Sequence, residues 1–312
     1  MKRSRFLAVA GLPFAAPAVV VRAQTQATIR VAATANDTYA QAYYAQDLGS
    51  FKSAGLTVEL QTFTAGGPVT AAVAGGAADV GIAGAPTIAA ATAHGIPFLY
   101  VASGGLYAAD NPATGIIVAD DAAIRTARDL EGKTLAVGAI KDGNWLAAVA
   151  WIDQNGGDAS AVRFVELPFA EMGPAIKRGT IAGGTIPEPS HTRAMKTGGL
   201  RVLAHHFDVY GRRCMIGGWF ARAEWIKANP DLARRYAAVM VATARWANAH
   251  AAESGAILAK YSKIDDETVR TMVRSPYGET ISAAMFQSQL DLSFKYKILE
   301  RQFNGADLVA KL

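Results

Sequence analysis

Polar residues and paired glycines recur in loops that join a predicted strand to a predicted helix. Asn36 and Tyr39 lie in the first of these loops, Gly66 and Gly67 in the second, and Thr87 in the third. In open α/β units, ligands bind beyond the carboxyl ends of the strands, where helix N-termini offer free N–H groups. These five residues are therefore candidates for ligand contacts. Asn36 serves equally well as a helix cap, and paired glycines also suit a plain tight turn.

Three further residues could contact a ligand, and each has a competing structural interpretation. Asn144 ends the loop 141–144, in which Lys141 could place a charge near an acidic ligand or simply be solvated. Glu188 follows a predicted strand, so it either binds an amine or ring nitrogen at the edge of a cleft or is a buried structural acid. Trp219 could stack on a planar ligand, although core packing is commoner for a strand tryptophan.

Residue patterns typical of catalysis and metal binding are missing from the sequence. Cys214 is the single cysteine, so no intramolecular disulfide can form, and a packed thiol is its expected state. His205 and His206 are adjacent on a predicted strand and point to opposite faces, so they are poorly placed to chelate one ion. No Gly-x-Ser-x-Gly elbow, P-loop or dinucleotide fingerprint occurs where strand context would support it. We therefore predict no catalytic residues, no metal and no cofactor.

The N-terminus has the layout of a secretory signal. Lys2, Arg3 and Arg5 form a basic start, residues 6–21 carry no charge, and small residues surround Ala23. We predict that residues 1–23 are a signal peptide, cleaved near Ala23, and that the mature protein is periplasmic. Removing the four basic residues of this segment from the 31 of the chain leaves 27 against 26 acidic residues. A nearly neutral mature chain predicts no nucleic-acid partner.

Predicted strands and helices alternate through the first two thirds of the chain. Such alternation favours an α/β fold with mostly parallel sheets covered by helices. Helices are predicted over 39–54, 232–249 and 277–304, the second of them introduced by Asn229-Pro230-Asp231. At 312 residues the chain is long enough for two domains.

Five segments in order resemble the periplasmic substrate-binding proteins of ABC transporters for sulfonates, taurine, nitrate and pyrimidine precursors, the SsuA/THI5-like group. They cover nearly the whole mature chain and read "AQDLGSFKSAGLTVEL" (45–60), "TAAVAGGAADVGIAGAP" (70–86), "ARDLEGKTLAV" (127–137), "EPSHTRAMKTGGLRVL" (188–203) and "EWIKANPDLARRYAAVMVATARWANAH" (224–250). In the resembling family the position of Thr87 often contacts ligand, and an acid like Glu188 can bind a ligand amine. The loop 141–144 departs from the small hydroxyl residues that family members often have there.

The resemblance implies a type II periplasmic binding protein fold with two lobes, each a mixed, mostly parallel sheet flanked by helices. Lobe one would comprise 24–108 and 213–312, and lobe two 109–212. A small organic anion or planar heteroaromatic molecule would bind between them and pass to an ABC transporter permease in the inner membrane, with the chain acting as a monomer. Two alternatives remain open on the same fold: a THI5-like pyrimidine-precursor enzyme and a periplasmic ligand sensor.

Overall fold

The computed structural model describes residues 28–63 and 65–312, so the predicted signal peptide lies outside the described residues. In chain order the strands are β1 (Thr28–Ala33), β2 (Thr57–Thr62), β3 (Val80–Ala83), β4 (Phe98–Ser103), β5 (Leu106–Ala108), β6 (Thr114–Ala119), β7 (Thr134–Val137), β8 (Arg163–Glu166), β9 (Gly183–Pro187), β10 (Leu200–Ala204), β11 (Arg213–Met215) and β12 (Gly218–Arg222). The helices are α1 (Gln41–Asp47), α2 (Ser50–Ser53), α3 (Gly66–Ala74), α4 (Ala85–Ala93), α5 (Gly143–Gln154), α6 (Phe169–Lys177), α7 (Ser190–Lys196), α8 (Ala223–Ala228), α9 (Pro230–Ala249), α10 (Ala251–Ser262), α11 (Asp266–Thr271) and α12 (Gln287–Lys295).

Two five-stranded sheets organise the described chain. The first has the order β2-β1-β3-β12-β4, in which β12 runs antiparallel to the other four strands. The second has the order β10-β6-β9-β7-β8, in which β6 runs antiparallel to the other four strands. Each sheet is therefore mixed and mostly parallel. This arrangement confirms the predicted α/β, two-lobe fold class.

Both faces of each sheet are covered, as expected when helices connect parallel strands. Because side chains alternate along a strand, neighbouring residues enter different cores. Trp219 packs with β1 and α9 on one face of the first sheet, while Phe220 packs with α3 and α4 on the other. Ile116 and Ile117 divide in the same way between the two faces of the second sheet.

The chain passes between the two sheets at two neighbouring places. The first crossing contains β5 and the second contains β11. These two short strands pair antiparallel, with Leu106 opposite Met215 and Ala108 opposite Arg213. The crossings also meet where the Gly104 N–H donates to the Gly217 carbonyl at 3.0 Å. The β5–β11 ribbon is thus a covalent and hydrogen-bonded connection between the sheets.

The predicted helices agree with the structure unevenly. The predicted helix 232–249 is confirmed as α9, with Pro230 at its first turn. The helix predicted over 39–54 is divided, because Gly49 adopts a φ of +69° between α1 and α2. The helix predicted over 277–304 is only partly present, because the helical residues there are the 3₁₀ turn Ala283–Met285 and α12. Among the described residues, no helix is both long and apolar enough to cross a membrane.

Candidate functional site

A small chamber of about 80 Å³ lies between the two sheets, with walls from both. It opens into a wider mouth of about 630 Å³. The structure brings six of the eight predicted site residues to the chamber: Asn36, Tyr39, Gly66, Gly67, Thr87 and Asn144. Glu188 lies at the mouth. Trp219 lines neither space; it is fully buried, and its indole N–H donates to Gln41 Oε1 at 2.9 Å.

The loop after β1 supplies Asn36 and Tyr39 to the chamber wall. Asn36 Oδ1 accepts hydrogen bonds from the Tyr39 N–H at 3.1 Å and from Thr38 Oγ1 at 3.0 Å, so it caps the short 3₁₀ turn Asp37–Tyr39. The capping interpretation and the chamber-lining interpretation therefore both hold for Asn36. Burial raises the pKa of Tyr39 well above its ordinary value, with the Asp142 carboxylate acting in the same direction, so the phenol stays neutral.

A buried ion pair between Asp37 and Arg274 anchors the loop that follows β1. Asp37 is fully buried and accepts from Arg274 Nε at 2.8 Å and from the Ser275 N–H at 2.6 Å. Burial raises the pKa of Asp37, and Arg274 opposes that shift. Sequence reasoning missed this pair, because its partners are more than two hundred residues apart and neither belongs to a recognisable spacing.

Three helices begin at the chamber. The N-termini of α3 and α4, at Gly66 and Ala85, have no side-chain cap among the described residues, so they present partial positive charge to it. The N-terminus of α5 differs, because Asp142 caps it: Asp142 Oδ1 accepts from the Trp145 N–H at 2.8 Å. The chamber therefore has two uncapped helix ends on one side and a carboxylate on the other.

Asp142 is the acidic side chain of the chamber, and sequence reasoning missed it. Burial raises its pKa to about 7, Glu166 adds to that shift, and the Trp145 and Asn144 N–H groups oppose it. Of the two interpretations of Lys141, the solvated lysine matches the structure, because Lys141 is exposed and does not line the chamber. The signal was available, since an aspartate immediately before a helix is a preferred N-cap and must lie at the helix end.

Aromatic rings form much of the remaining wall: Tyr39, Phe169, Phe207 and Tyr210. Tyr210 is held by its hydroxyl, which donates to the Gly143 carbonyl at 2.7 Å, and its ring lies 5.5 Å from that of Phe207. Phe169 lies over Gly138, where an added Cβ would come within 2.4 Å of its Cζ. These contacts hold the rings in place before a ligand arrives.

The polar residue Asn144 is supported by a buried histidine. His206 Nε2 lies 3.4 Å from Asn144 Oδ1, and burial lowers the pKa of His206 to about 3, so its ring is neutral. His205 points elsewhere, with Nδ1 3.3 Å from the Thr114 carbonyl. Within residues 28–63 and 65–312 no group of three or more His, Cys, Asp or Glu side chains could hold a metal ion.

Glu188 is occupied by protein hydrogen bonds. Its carboxylate accepts from the Thr192 N–H at 3.0 Å, from Thr192 Oγ1 at 2.8 Å and from the Val273 N–H at 3.4 Å, and it lies 3.4 Å from His191 Nδ1. The residue is only 2 % exposed. Of the two open interpretations, the structure matches the buried structural acid.

The comparisons with known proteins agree with this architecture. A family model described as NMT1/THI5 like matches residues 36–254. The chain belongs to the NMT1/THI5-like family. No curated protein matches the sequence.

Solved structures of periplasmic binding proteins share the fold. The aliphatic sulphonate binding protein SsuA of Escherichia coli is 18% identical, with 91% of this chain and 92% of that chain covered and a TM-score of 0.74. SsuA of Xanthomonas axonopodis pv. citri, bound to MOPS, is 19% identical, with coverages of 91% and 98% and a TM-score of 0.75. The nitrate-binding protein NrtA of Synechocystis PCC 6803 is 14% identical, with coverages of 91% and 86% and a TM-score of 0.74. The NMT1/THI5-like chain thus has the periplasmic binding protein fold of the SsuA and NrtA type.

Proposed function

We propose that this NMT1/THI5-like protein is an exported, periplasmic solute-binding protein that captures a small organic molecule and delivers it to an ABC transporter permease. The observation that carries the proposal is the chamber, whose wall combines Tyr39 and Thr87 from one sheet's loops with Asn144 and Tyr210 from the other's. A site divided between two sheets forms completely only when they approach each other. Ligand binding and approach of the lobes are then coupled.

The lobes of the proposal are residues 24–108 with 213–312 and residues 109–212, and the β5–β11 ribbon is their hinge. A short two-stranded connection can absorb a change of angle that neither five-stranded sheet could. Opposite the hinge, Lys196 of α7 lies 3.1 Å from Glu267 of α11, and Glu188 accepts from the Val273 N–H. These two contacts join the proposed lobes at the rim and would form on closure and break on opening.

Binding rather than catalysis suits the chemistry of the site. Cys214 is buried outside the chamber, and burial raises the pKa of its thiol to about 12, which suppresses the nucleophilic thiolate. His206 is held neutral and buried, with Asn144 as its neighbour, so it has no nucleophile to activate among the described residues. Pre-positioned rings and helix ends need no chemical step to recognise a solute.

A ligand screen of the mature protein, residues 24–312, tests the proposal. The screen would include sulfonates, aromatic acids, nitrate and pyrimidine precursors, read by thermal shift, because a ligand that binds only the folded state raises the melting temperature. Recovery of the bound compound unchanged, and loss of its uptake in cells lacking the chain, would support the proposal. Conversion of the compound to a product, or uptake that does not depend on the chain, would contradict it.

A further inference from the structure

The charged side chain that lines the chamber is acidic. Among the described residues, its lining contains the carboxylate of Asp142 and no lysine or arginine. Arg193 and Lys263 lie only at the mouth, where Glu166 and Glu188 lie as well. A ligand whose sole polar group is an anion would therefore enter a chamber that offers it no cationic side chain and one acidic side chain.

Asp142 is placed to receive a hydrogen-bond donor. Its own helix supplies the Trp145 and Asn144 N–H groups, and a carboxylate has about four lone-pair positions, so acceptor capacity remains for a further donor. It stays partly accessible in a space otherwise enclosed by Tyr39, Tyr210 and Asn144. The cost of burying a carboxylate is offset when a cationic partner pairs with it.

The aromatic wall favours the same ligand chemistry. Tyr39, Phe169, Phe207 and Tyr210 surround the chamber, and the electron-rich faces of aromatic rings attract a cation within about 6 Å of the ring centre. Aromatic rings beside one carboxylate form a typical site for an organic ammonium or amidinium group. The uncapped ends of α3 and α4 remain for an acceptor atom at the other end of the ligand.

We propose that the chamber selects a ligand bearing a protonated nitrogen, which donates a hydrogen bond to the carboxylate of Asp142 and lies against the aromatic wall. This inference rests on the proposed solute-binding function and names its ligand class. Simple anions such as nitrate or an unsubstituted alkanesulfonate are excluded from tight binding. An aminated anion remains acceptable, because its anionic end can meet the ends of α3 and α4.

Isosteric probe pairs and one conservative variant test the inference. Benzamidine is compared with benzoate, and taurine with isethionate, by calorimetry on the mature protein. Asp142→Asn removes the charge but keeps a preferred N-cap residue for α5, so the fold is preserved. Asp158→Asn is the matched control, because Asp158 caps a 3₁₀ turn on the same lobe and lies outside the chamber. Mass spectrometry of the protein purified natively from the periplasm identifies any molecule that co-purifies.

The expected result is that each nitrogen-bearing probe binds more tightly than its partner. In Asp142→Asn that preference should fall by about tenfold to a hundredfold, the loss expected for one charge-assisted hydrogen bond, while Asp158→Asn keeps it. Equal or tighter binding of benzoate and isethionate, or a co-purified ligand without a basic nitrogen, overturns the inference and leaves the solute-binding function standing. If no probe binds and nothing co-purifies, the inference and the proposed function fail together.

Discussion

The ring of Tyr39 lies directly on Gly217, at the junction between β11 and β12. A Cβ built at Gly217 would come within 2.4 Å of Tyr39 Cε1 and 3.0 Å of its hydroxyl oxygen. The second crossing between the sheets therefore forms the support of a chamber-lining aromatic residue. The geometry of the proposed hinge and the shape of the chamber therefore meet at this contact.

Gly217→Ala should weaken ligand binding. The added methyl group forces Tyr39 to move, and overpacking of this kind costs about 1–3 kcal/mol. We expect at least about tenfold weaker affinity by calorimetry, with a smaller fall in melting temperature. Gly75→Ala is the control, because its Cβ would meet only the Ala71 carbonyl at 3.4 Å, far from the chamber. Unchanged affinity in Gly217→Ala would show that Tyr39 does not shape the site.

Affinity for a cationic ligand should rise with pH through neutrality. Burial raises the pKa of Asp142 to about 7, and Glu166 adds to that shift. Burial keeps Tyr39, Tyr210 and His206 neutral at this pH, so their charges do not change. Below that pH a cation must displace the proton of Asp142, so affinity for benzamidine should fall by up to about tenfold per pH unit. Asp142→Asn should show a flat profile. A pH-independent affinity in the parent protein would contradict this assignment.

The free energy of unfolding of the unliganded protein should fall as the pH rises, whereas the affinity for a cation should rise. The pKa of Asp142 is raised from the ordinary 3.8 that applies to the unfolded chain, so the folded state binds the extra proton between about pH 4 and 7. Its contribution to the free energy of unfolding is complete below that window and is lost as the pH rises through about 7. Urea unfolding at several pH values should therefore give a smaller pH-dependent loss in Asp142→Asn than in the parent. Identical slopes would contradict the raised pKa.

Removing one partner of the buried Asp37–Arg274 pair should be strongly destabilising. Arg274→Met leaves the Asp37 carboxylate buried without its cation, a change that costs about 3–5 kcal/mol. The double variant Asp37→Asn/Arg274→Met should recover part of the loss, because no charge is then left unpaired. Arg270→Met, at an exposed position on α11, serves as the control in urea unfolding. A loss below about 1 kcal/mol for Arg274→Met would show that the pair does not anchor the loop.

Glu188→Gln should affect stability and closure more than ligand affinity. An amide can keep one of the acceptor positions that serve Thr192 and Val273 but presents N–H groups to the other donors. We expect a loss of about 1–3 kcal/mol in the free energy of unfolding and at most a few-fold change in affinity. A large loss of affinity with unchanged stability would restore Glu188 as a ligand-contacting residue.

Loop positions were predictable from the sequence because strand–helix alternation leaves few places for a ligand. Gly66, Gly67 and Thr87 each stand where a predicted strand ends and a helix begins, and the structure places all three on the chamber. Trp219 shows the limit of that reasoning: it belongs to a strand, and the face to which its side chain points depends on the register with β3 and β4. A shift of one residue in the register would turn the Trp219 side chain to the other face of the sheet.

Other features depend on contacts that the local sequence does not contain. Residues 277–304 carry enough apolar side chains to predict a helix, but Tyr277 and Phe303 are buried outside α12 by packing against distant elements. Asp37 and Asp142 resemble ordinary caps in the sequence. Only the tertiary structure shows that one faces Arg274 and the other faces a chamber without basic side chains.

The distance between the proposed lobes, with and without ligand, tests the central claim most directly. Spin labels at Ala170→Cys and Ser262→Cys would flank the mouth. Cys214 can remain, because it is buried and burial raises the pKa of its thiol to about 12. A pair on the first lobe alone, Thr62→Cys and Ser262→Cys, is the control. We predict that the compound with the largest thermal shift moves the Ala170–Ser262 distances to a shorter population and leaves the control pair unchanged. Saturating binding with no change in the Ala170–Ser262 distances would contradict capture by closure of two lobes.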